Sequence, residues 1–168
     1  MDAALHDWSL TPKQAIALQS QLAKQLEADD RIDPVTHIAG VDIGFEEDGS
    51  ITRAAVVVLA WSPEQAPPLT VVEQVVHREP TRMPYIPGLL SFREIPAALG
   101  AFAQLKTRPQ LVMVDGQGIA HPRRLGVAAH LGLWLDLPII GIAKSRLTGR
   151  HADVGEARGD WVPLMAGQ

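Results

Sequence analysis

Cysteine is absent from the 168 residues, and with it go disulfide scaffolds, thiolate metal sites and cysteine nucleophiles. No uninterrupted apolar run is long enough to span a bilayer. The opening Met1-Asp2-Ala3-Ala4-Leu5-His6-Asp7 lacks the basic start and apolar stretch of a signal peptide. A soluble, cytoplasmic protein is the expectation. Excess positive charge is missing too. A net charge of -4 argues mildly against non-specific nucleic-acid binding, although such binding answers to a local patch and its counterions. There are no internal repeats, low-complexity tracts or long linkers. The length fits one domain over residues 1–168, and a chain of this size can bury roughly 70% of its unfolded surface without staples.

What is present is orderly. Thr11-Pro12-Lys13-Gln14 reads as a helix start, with Thr11 as N-cap, Pro12 at the first helical position and Gln14 closing a capping box. Ala15, Leu18, Leu22 and Leu26 then mark one face, predicting a helix to about Glu27. Three strand-like runs follow, Thr36 to Phe45, Ile51 to Trp61 and Leu69 to Arg78. An Asp-Gly turn and a proline-broken connector separate them, which predicts an antiparallel meander. Beyond Pro80 come a proline-rich loop, a helix carrying Ile95, Leu99, Phe102 and Leu105, a strand Gln110 to Val114, a helix from about Pro122 to Leu135, and a strand Pro138 to Ala143. Such alternation means parallel strands with crossover helices, and the continuous apolar runs of the last two strands predict cover on both faces. The class is α/β, a mixed sheet in the order β-β-β-α-β-α-β after an N-terminal helix.

Two carboxylates sit where nothing local neutralises them. Asp115 ends the apolar run Val112-Met113-Val114 just before Gly116-Gln117-Gly118, and Asp42 ends Ile38-Ala39-Gly40-Val41. Burying an unpaired carboxylate is costly, so two of them in one small domain suggest a shared cation. The first and fourth strands are plausible neighbours at the sheet centre. Hard divalent ions such as Mg²⁺ take carboxylate oxygens plus water and substrate phosphate. A third acid would complete a phosphodiester-cleaving site, in which two metals about 3.5 to 4 Å apart can hold the attacking water and the leaving oxygen. Glu94 is the candidate.

The residues around these acids resemble the endonuclease V family, ribonuclease H-like nucleases of inosine-containing nucleic acid. The resemblance is carried by Gly40-Val41-Asp42-Ile43, by Pro84-Tyr85-Ile86-Pro87-Gly88-Leu89-Leu90-Ser91-Phe92-Arg93-Glu94, by Val114-Asp115-Gly116-Gln117-Gly118-Ile119-Ala120-His121-Pro122-Arg123, and by Gly141-Ile142-Ala143-Lys144-Ser145. It implies that Asp42, Glu94 and Asp115 are metal ligands and catalytic acids with Mg²⁺, for which Mn²⁺ can substitute, and that His121 and Lys144 lie close by. It also implies that Pro84 to Gly88, with Tyr85 and Ile86, forms a wedge opening the duplex. A pocket built partly from backbone at Gly88, Leu90, Gly116 and Gly126 takes the extruded hypoxanthine. Extruding a base costs stacking and pairing energy, and costs least where pairing is already poor. The implied activity is DNA repair, nicking the second phosphodiester 3′ to deoxyinosine and leaving 3′-hydroxyl and 5′-phosphate ends. The partner is inosine-containing DNA, with RNA the alternative, and the protein is expected to act as a monomer.

Plainer roles stand beside these. Asp42 and Asp115 could simply start turns, and His121 before Pro122 could be an N-cap-like polar residue. Ser91 to Glu94 has capping-box spacing, but Pro96 places the helix start nearer Ile95, leaving Glu94 ahead of the helix and free for metal. Tyr85 could pack on its prolines, and Lys144 could be a solvated strand-end lysine. Arg78, Arg82, Arg93, Arg123, Arg124, Lys144 and Arg146 suggest a basic strip around the site. The family continues past the equivalent of Lys144 into a C-terminal helix that starts with a histidine or acid. After Arg150 this sequence offers only His151 and Asp153, so a C-terminally shortened chain with an uncovered sheet face is expected. The alternatives are a catalytically impaired fragment that only binds inosine-containing nucleic acid, and a ribonuclease H-like nuclease with another substrate such as junctions.

Overall fold

The computed structural model of the protein describes residues 4–166. Thr11 caps the first helix, α1 (Pro12–Leu22), in the expected reciprocal way: its hydroxyl accepts from the Gln14 amide, and the Gln14 side chain accepts from the Thr11 amide at 2.8 Å. The α-helix ends earlier than the apolar stripe suggested, tightening into a 3-10 turn over Ala23–Gln25.

The meander follows as β1 (His37–Glu46), β2 (Ile51–Trp61) and β3 (Leu69–Pro80). At the first corner Glu47, Asp48 and Gly49 all take positive φ, so the Asp-Gly pair does mark a reversal. Next come α2 (Leu90–Phe102), β4 (Leu111–Val114), α3 (Val127–Leu135) and β5 (Ile139–Gly141). The sheet order is β3-β2-β1-β4-β5. β1 lies antiparallel to β2 and parallel to β4, and β5 runs parallel to β4. The order β-β-β-α-β-α-β after a helix is the one read from the sequence.

Two helix starts differ from expectation. α2 begins at Leu90 and carries Pro96 inside it, so Glu94 lies within the helix and not ahead of it. Leu89 is the N-cap and makes no side-chain cap, so the Ser91 to Glu94 capping box does not form. Proline removes one i→i−4 hydrogen bond. Burial of Phe92, Ile95, Ala97, Ala98 and Ala101 against the sheet offsets that loss. α3 begins at Val127 and not at Pro122, because Arg124 turns left-handed at φ 61 and its amide closes a turn onto the His121 carbonyl at 2.8 Å.

The core lies on one face of the sheet. Ala39 and Val41 of β1, Ala54, Val56 and Val58 of β2, and Val112 and Val114 of β4 alternate inward against Ile95, Ala98 and Ala101 of α2 and Val127, Ala128 and Leu131 of α3. The opposite face is open among the described residues. Met113, Ile140 and Ile142 are 36%, 44% and 52% exposed, which corrects the expectation that β4 and β5 are covered on both sides. A smaller cluster of Ala15, Met83, Leu89 and Phe92 joins α1 to the proline-rich loop.

The N-terminal segment is fastened to α3 by one chain of hydrogen bonds. Trp134 Nε1 donates to His6 Nε2 at 3.1 Å, and His6 Nε2 and His130 Nε2 are 2.8 Å apart. His130 Nδ1 meets the Ser91 hydroxyl at 3.0 Å, and His6 Nδ1 meets the Asp7 carbonyl at 2.8 Å. With both imidazoles neutral, His6 protonated on Nδ1, His130 donating through Nε2 and Ser91 donating to His130 Nδ1, the single lone pair of His6 Nε2 is shared between Trp134 and His130. Burial lowers the pKa of both rings, that of His130 to about 3.

Candidate active site

Parallel pairing of β1 with β4 aligns Val41 with Val114, so the next residue on each strand is an aspartate. The Asp115 amide donates to the Val41 carbonyl at 3.2 Å, and the Gly116 amide to the Ile142 carbonyl at 3.1 Å. The ladder therefore holds the backbone of both acids while β4 gives way to its glycine-rich loop. Side chains alternate along a strand. With Val41 inward, Asp42 faces the open side of the sheet. There a cleft of about 500 Å³ is lined by Gly40, Asp42, Val57, Met113, Asp115 and Lys144.

Glu94 approaches from the covered side on α2 and is 7% exposed. Burial first, then the charges of Asp115 and Asp42, push its carboxyl up from 4.5 to about 8. Two neighbours that raise a third acid's pKa are close enough to repel it. The Lys144 ammonium rests directly on the Asp115 carboxylate, and that hydrogen bond raises the lysine pKa. As the side chains stand, no three His, Asp or Glu among the described residues enclose one coordination sphere.

The proline-rich loop leads into the start of α2. Met83 and Leu89 are buried and pin its ends, whereas Tyr85 stands 67% exposed between Pro84 and Ile86, with Pro87 beyond. The Leu89 amide donates to the Ile86 carbonyl at 3.0 Å and closes the loop tip. Gly88 takes φ +79, and a Cβ there would meet the Arg123 guanidinium at 2.6 Å, so glycine is needed on two counts. Leu90 opens α2 and is 38% exposed. Gly116 and Gly126 are close-packing positions: a Cβ on the first would strike Val127 at 2.2 Å, and on the second the Gln117 carbonyl at 2.3 Å. They let the loop after β4 fold onto the start of α3.

His121 does not line the cleft. It is 5% exposed, and its Nδ1 accepts from the Arg123 amide at 3.1 Å. Burial, then the Arg123 charge, lowers its pKa, while a hydrogen bond to the Gly88 backbone works the other way. The basic strip is also less available than its residue count suggests. Arg78 pairs with Glu46 at 2.9 Å and Arg82 with Glu79 at 2.8 Å. Arg93 stacks on Phe45 at 4.1 Å and donates to the Gly49 carbonyl, and Arg123 bonds inward to Gln19 and Gly88.

The family model for Endonuclease V matches residues 20–168. This chain belongs to the endonuclease V family. Endonuclease V of Nostoc sp. is 51% identical over 161 residues, covering 95% of this chain and 71% of the relative. That of Azotobacter vinelandii is 55% identical over 164 residues, covering 98% and 72%. The crystal structure of the endonuclease V from Streptomyces avermitilis superposes with a TM-score of 0.85 at 40% identity, over 95% of this chain and 69% of that one. The Ciona intestinalis endonuclease V, in complex with a 23mer DNA containing an inosine followed by a ribo-adenosine, matches with a TM-score of 0.72 at 26% identity, over 83% and 61%. The sheet order and these likenesses make the fold the ribonuclease H-like α/β type.

Among the sequence-derived site residues of this endonuclease V chain, Asp42, Glu94, Asp115 and Lys144 gather at the C-terminal end of β4. Pro84 to Gly88 and Leu90 gather at the start of α2, and His121 joins that second group. Sequence reading missed Gln19. It sits on the buried stripe of α1 at 1% exposure, with its amide donating to the Gly88 carbonyl at 3.0 Å and the Leu125 carbonyl at 3.2 Å. A polar residue four positions after Ala15, on the apolar face, was the available signal.

Proposed function

We propose that this chain is a metal-dependent endonuclease that recognises deoxyinosine in DNA and nicks the second phosphodiester on its 3′ side. One observation carries the reading. Adjacent strands of an endonuclease V fold set Asp42 beside Asp115, and both repel a buried Glu94. A buried Glu94 whose proton affinity is raised by burial and by two neighbouring carboxylates suits a hard divalent ion, Mg²⁺ or Mn²⁺, which would relieve the repulsion. Asp42, Asp115 and Glu94 would hold it. Once bound, such an ion polarises the phosphate and lowers the pKa of water.

The chain's own groups do the rest. Asp42 and Asp115, their backbone fixed by the ladder, would place the ion at the open face of the sheet, where the reacting phosphate would lie. Glu94 must give up its proton before it can share a ligand. Lys144 supplies a cation that can pass from Asp115 to a phosphate oxygen of the bound strand. Tyr85, exposed between Pro84 and Ile86, offers a ring to stack on a base as the wedge enters the duplex. His121 supports the backbone of that wedge from behind. The bond that breaks joins phosphorus to the 3′ oxygen of the next nucleotide, leaving a 3′-hydroxyl and a 5′-phosphate. Likeness to the Ciona intestinalis protein in complex with inosine-containing DNA supports the substrate, and the oxygen-only donor set supports the metal.

The deciding experiment offers Mg²⁺ and end-labelled duplexes with and without a single deoxyinosine. A single nick at the second 3′ phosphodiester, abolished by chelator and absent from the inosine-free duplex, is expected. Equal cleavage of an inosine-free duplex or a four-way junction would move the assignment to another nuclease substrate. Tight inosine-dependent binding without any nicking would leave the chain a binding module.

A further inference from the structure

The loop carrying Tyr85 and the loop following Asp115 are tied together by a partly buried set of hydrogen bonds outside the carboxylate cleft. Arg123 donates through Nε to Gln19 Oε1 at 2.6 Å and through Nη2 to the Gly88 carbonyl at 2.8 Å. Gln19 donates to the same Gly88 carbonyl at 3.0 Å and to the Leu125 carbonyl at 3.2 Å. One carbonyl in the wedge loop therefore receives two side-chain donors, one from α1 and one from the loop after β4. The bare Cα of Gly88 is what lets the guanidinium lie there.

The connection runs on to the acids. Leu125 precedes Gly126, whose amide donates to the Gly118 carbonyl at 2.9 Å, and the Ala128 amide donates to the Gln117 carbonyl at 3.0 Å. Gly116 and Asp115 are the next residues back along the chain. A planar guanidinium and a carboxamide have few ways to meet these partners at once, so they fix direction as well as distance.

We infer that Gln19 and Arg123 are positioning residues forming a clamp that sets the spacing between the lesion-reading loop and the carboxylate centre, and so determines which phosphodiester is cut. The inference rests on the reading of the site as an inosine-dependent nuclease. Neither side chain touches the reacting atoms. A mere buttress, when weakened, slows the reaction everywhere. A spacer, when weakened, also lets the cut wander.

The test is the distribution of cut sites on an inosine duplex, read at nucleotide resolution, for wild type, Gln19→Met and Arg123→Lys. Arg123→Lys keeps the charge but cannot reach Gln19 and Gly88 together. Both variants are expected to slow nicking about tenfold and to send a tenth or more of the products to the neighbouring phosphodiesters. Slower nicking at the wild-type position alone overturns the clamp. Hydrogen exchange on the same proteins without DNA reads the clamp independently of activity. Residues 84–90 should exchange at least tenfold faster in both variants, with 127–135 unchanged. Unaltered protection over 84–90 overturns the proposal even if the wild type proves not to cut at inosine, an outcome that would itself refute only the substrate reading.

Discussion

Glu94 is the residue whose surroundings matter most to the proposed chemistry. The unfolded chain releases its proton near 4.5 and the folded chain holds it to about 8. Between those values the folded state binds more protons, so stability is greatest below 4.5 and falls as pH rises through 8. The cost at alkaline pH is on the order of a few kcal/mol. Glu94→Gln is expected to raise the metal-free melting temperature at pH 8 by roughly 5 °C or more, checked by calorimetry in chelator, and to abolish nicking. Asp42→Asn and Asp115→Asn should each lower the nicking rate at least about a thousandfold, the scale on which lost charge stabilisation is felt at such centres, as single-turnover kinetics would show. Asp115 was legible in the sequence because an acid closing an apolar strand has no local reason to be there; Asp42 was legible as an acid in an apolar run, although it lies within β1 and not at its end. Glu94 was legible as an acid but not as a helical one. Proline is ordinarily confined to a first turn, and nothing local reveals that burial of Phe92 and Ile95 outweighs one missing hydrogen bond.

Elements divide the same way. The capping box at α1, the three meander strands and the alternation after Pro80 rest on short-range patterns, and they read correctly. The start of α3 did not, because His121-Pro122 imitates an N-cap followed by a first-position proline, whereas Arg124 takes a left-handed turn that only tertiary contacts specify. The clamp was illegible for another reason: its partners are backbone carbonyls, and sequence carries no mark of which carbonyl a buried Gln19 will meet. The wedge loop makes its own prediction. If Tyr85 stacks on a base, Tyr85→Ala should lose about 1–3 kcal/mol of binding to an inosine duplex and Tyr85→Phe almost none, measured by anisotropy with Ca²⁺ in place of Mg²⁺. Equal losses in both variants would point to the hydroxyl instead. In α3, Leu131 is fully buried in the main core, and Leu131→Ala should cost about 2–5 kcal/mol in urea denaturation.

Across the whole molecule two sets of buried ionisable groups pull stability in opposite directions. His130, lowered to about 3, stays neutral in the folded chain while the unfolded chain protonates it near 6.5, and burial lowers His6 and His121 in the same direction. Their stabilisation is complete above 6.5 and is lost as pH falls below it, whereas Glu94 costs more as pH rises towards 8. Between 4.5 and 6.5 His130 and Glu94 oppose each other, so metal-free stability should decline as pH falls below 4.5 and as it rises above 6.5. Melting temperatures across pH 4 to 9 would show both limbs. His130→Asn should flatten the acid limb and leave the alkaline limb intact.

Asp42 and Asp115 meet only through the pairing of β1 with β4, strands separated in the chain by β2, β3 and α2. A ribosome-bound or partly unfolded copy that has not closed that pairing holds two isolated carboxylates and no shared centre. The proposed hydrolytic centre is thus a property of the finished sheet, and a chain caught midway through folding does not yet carry it.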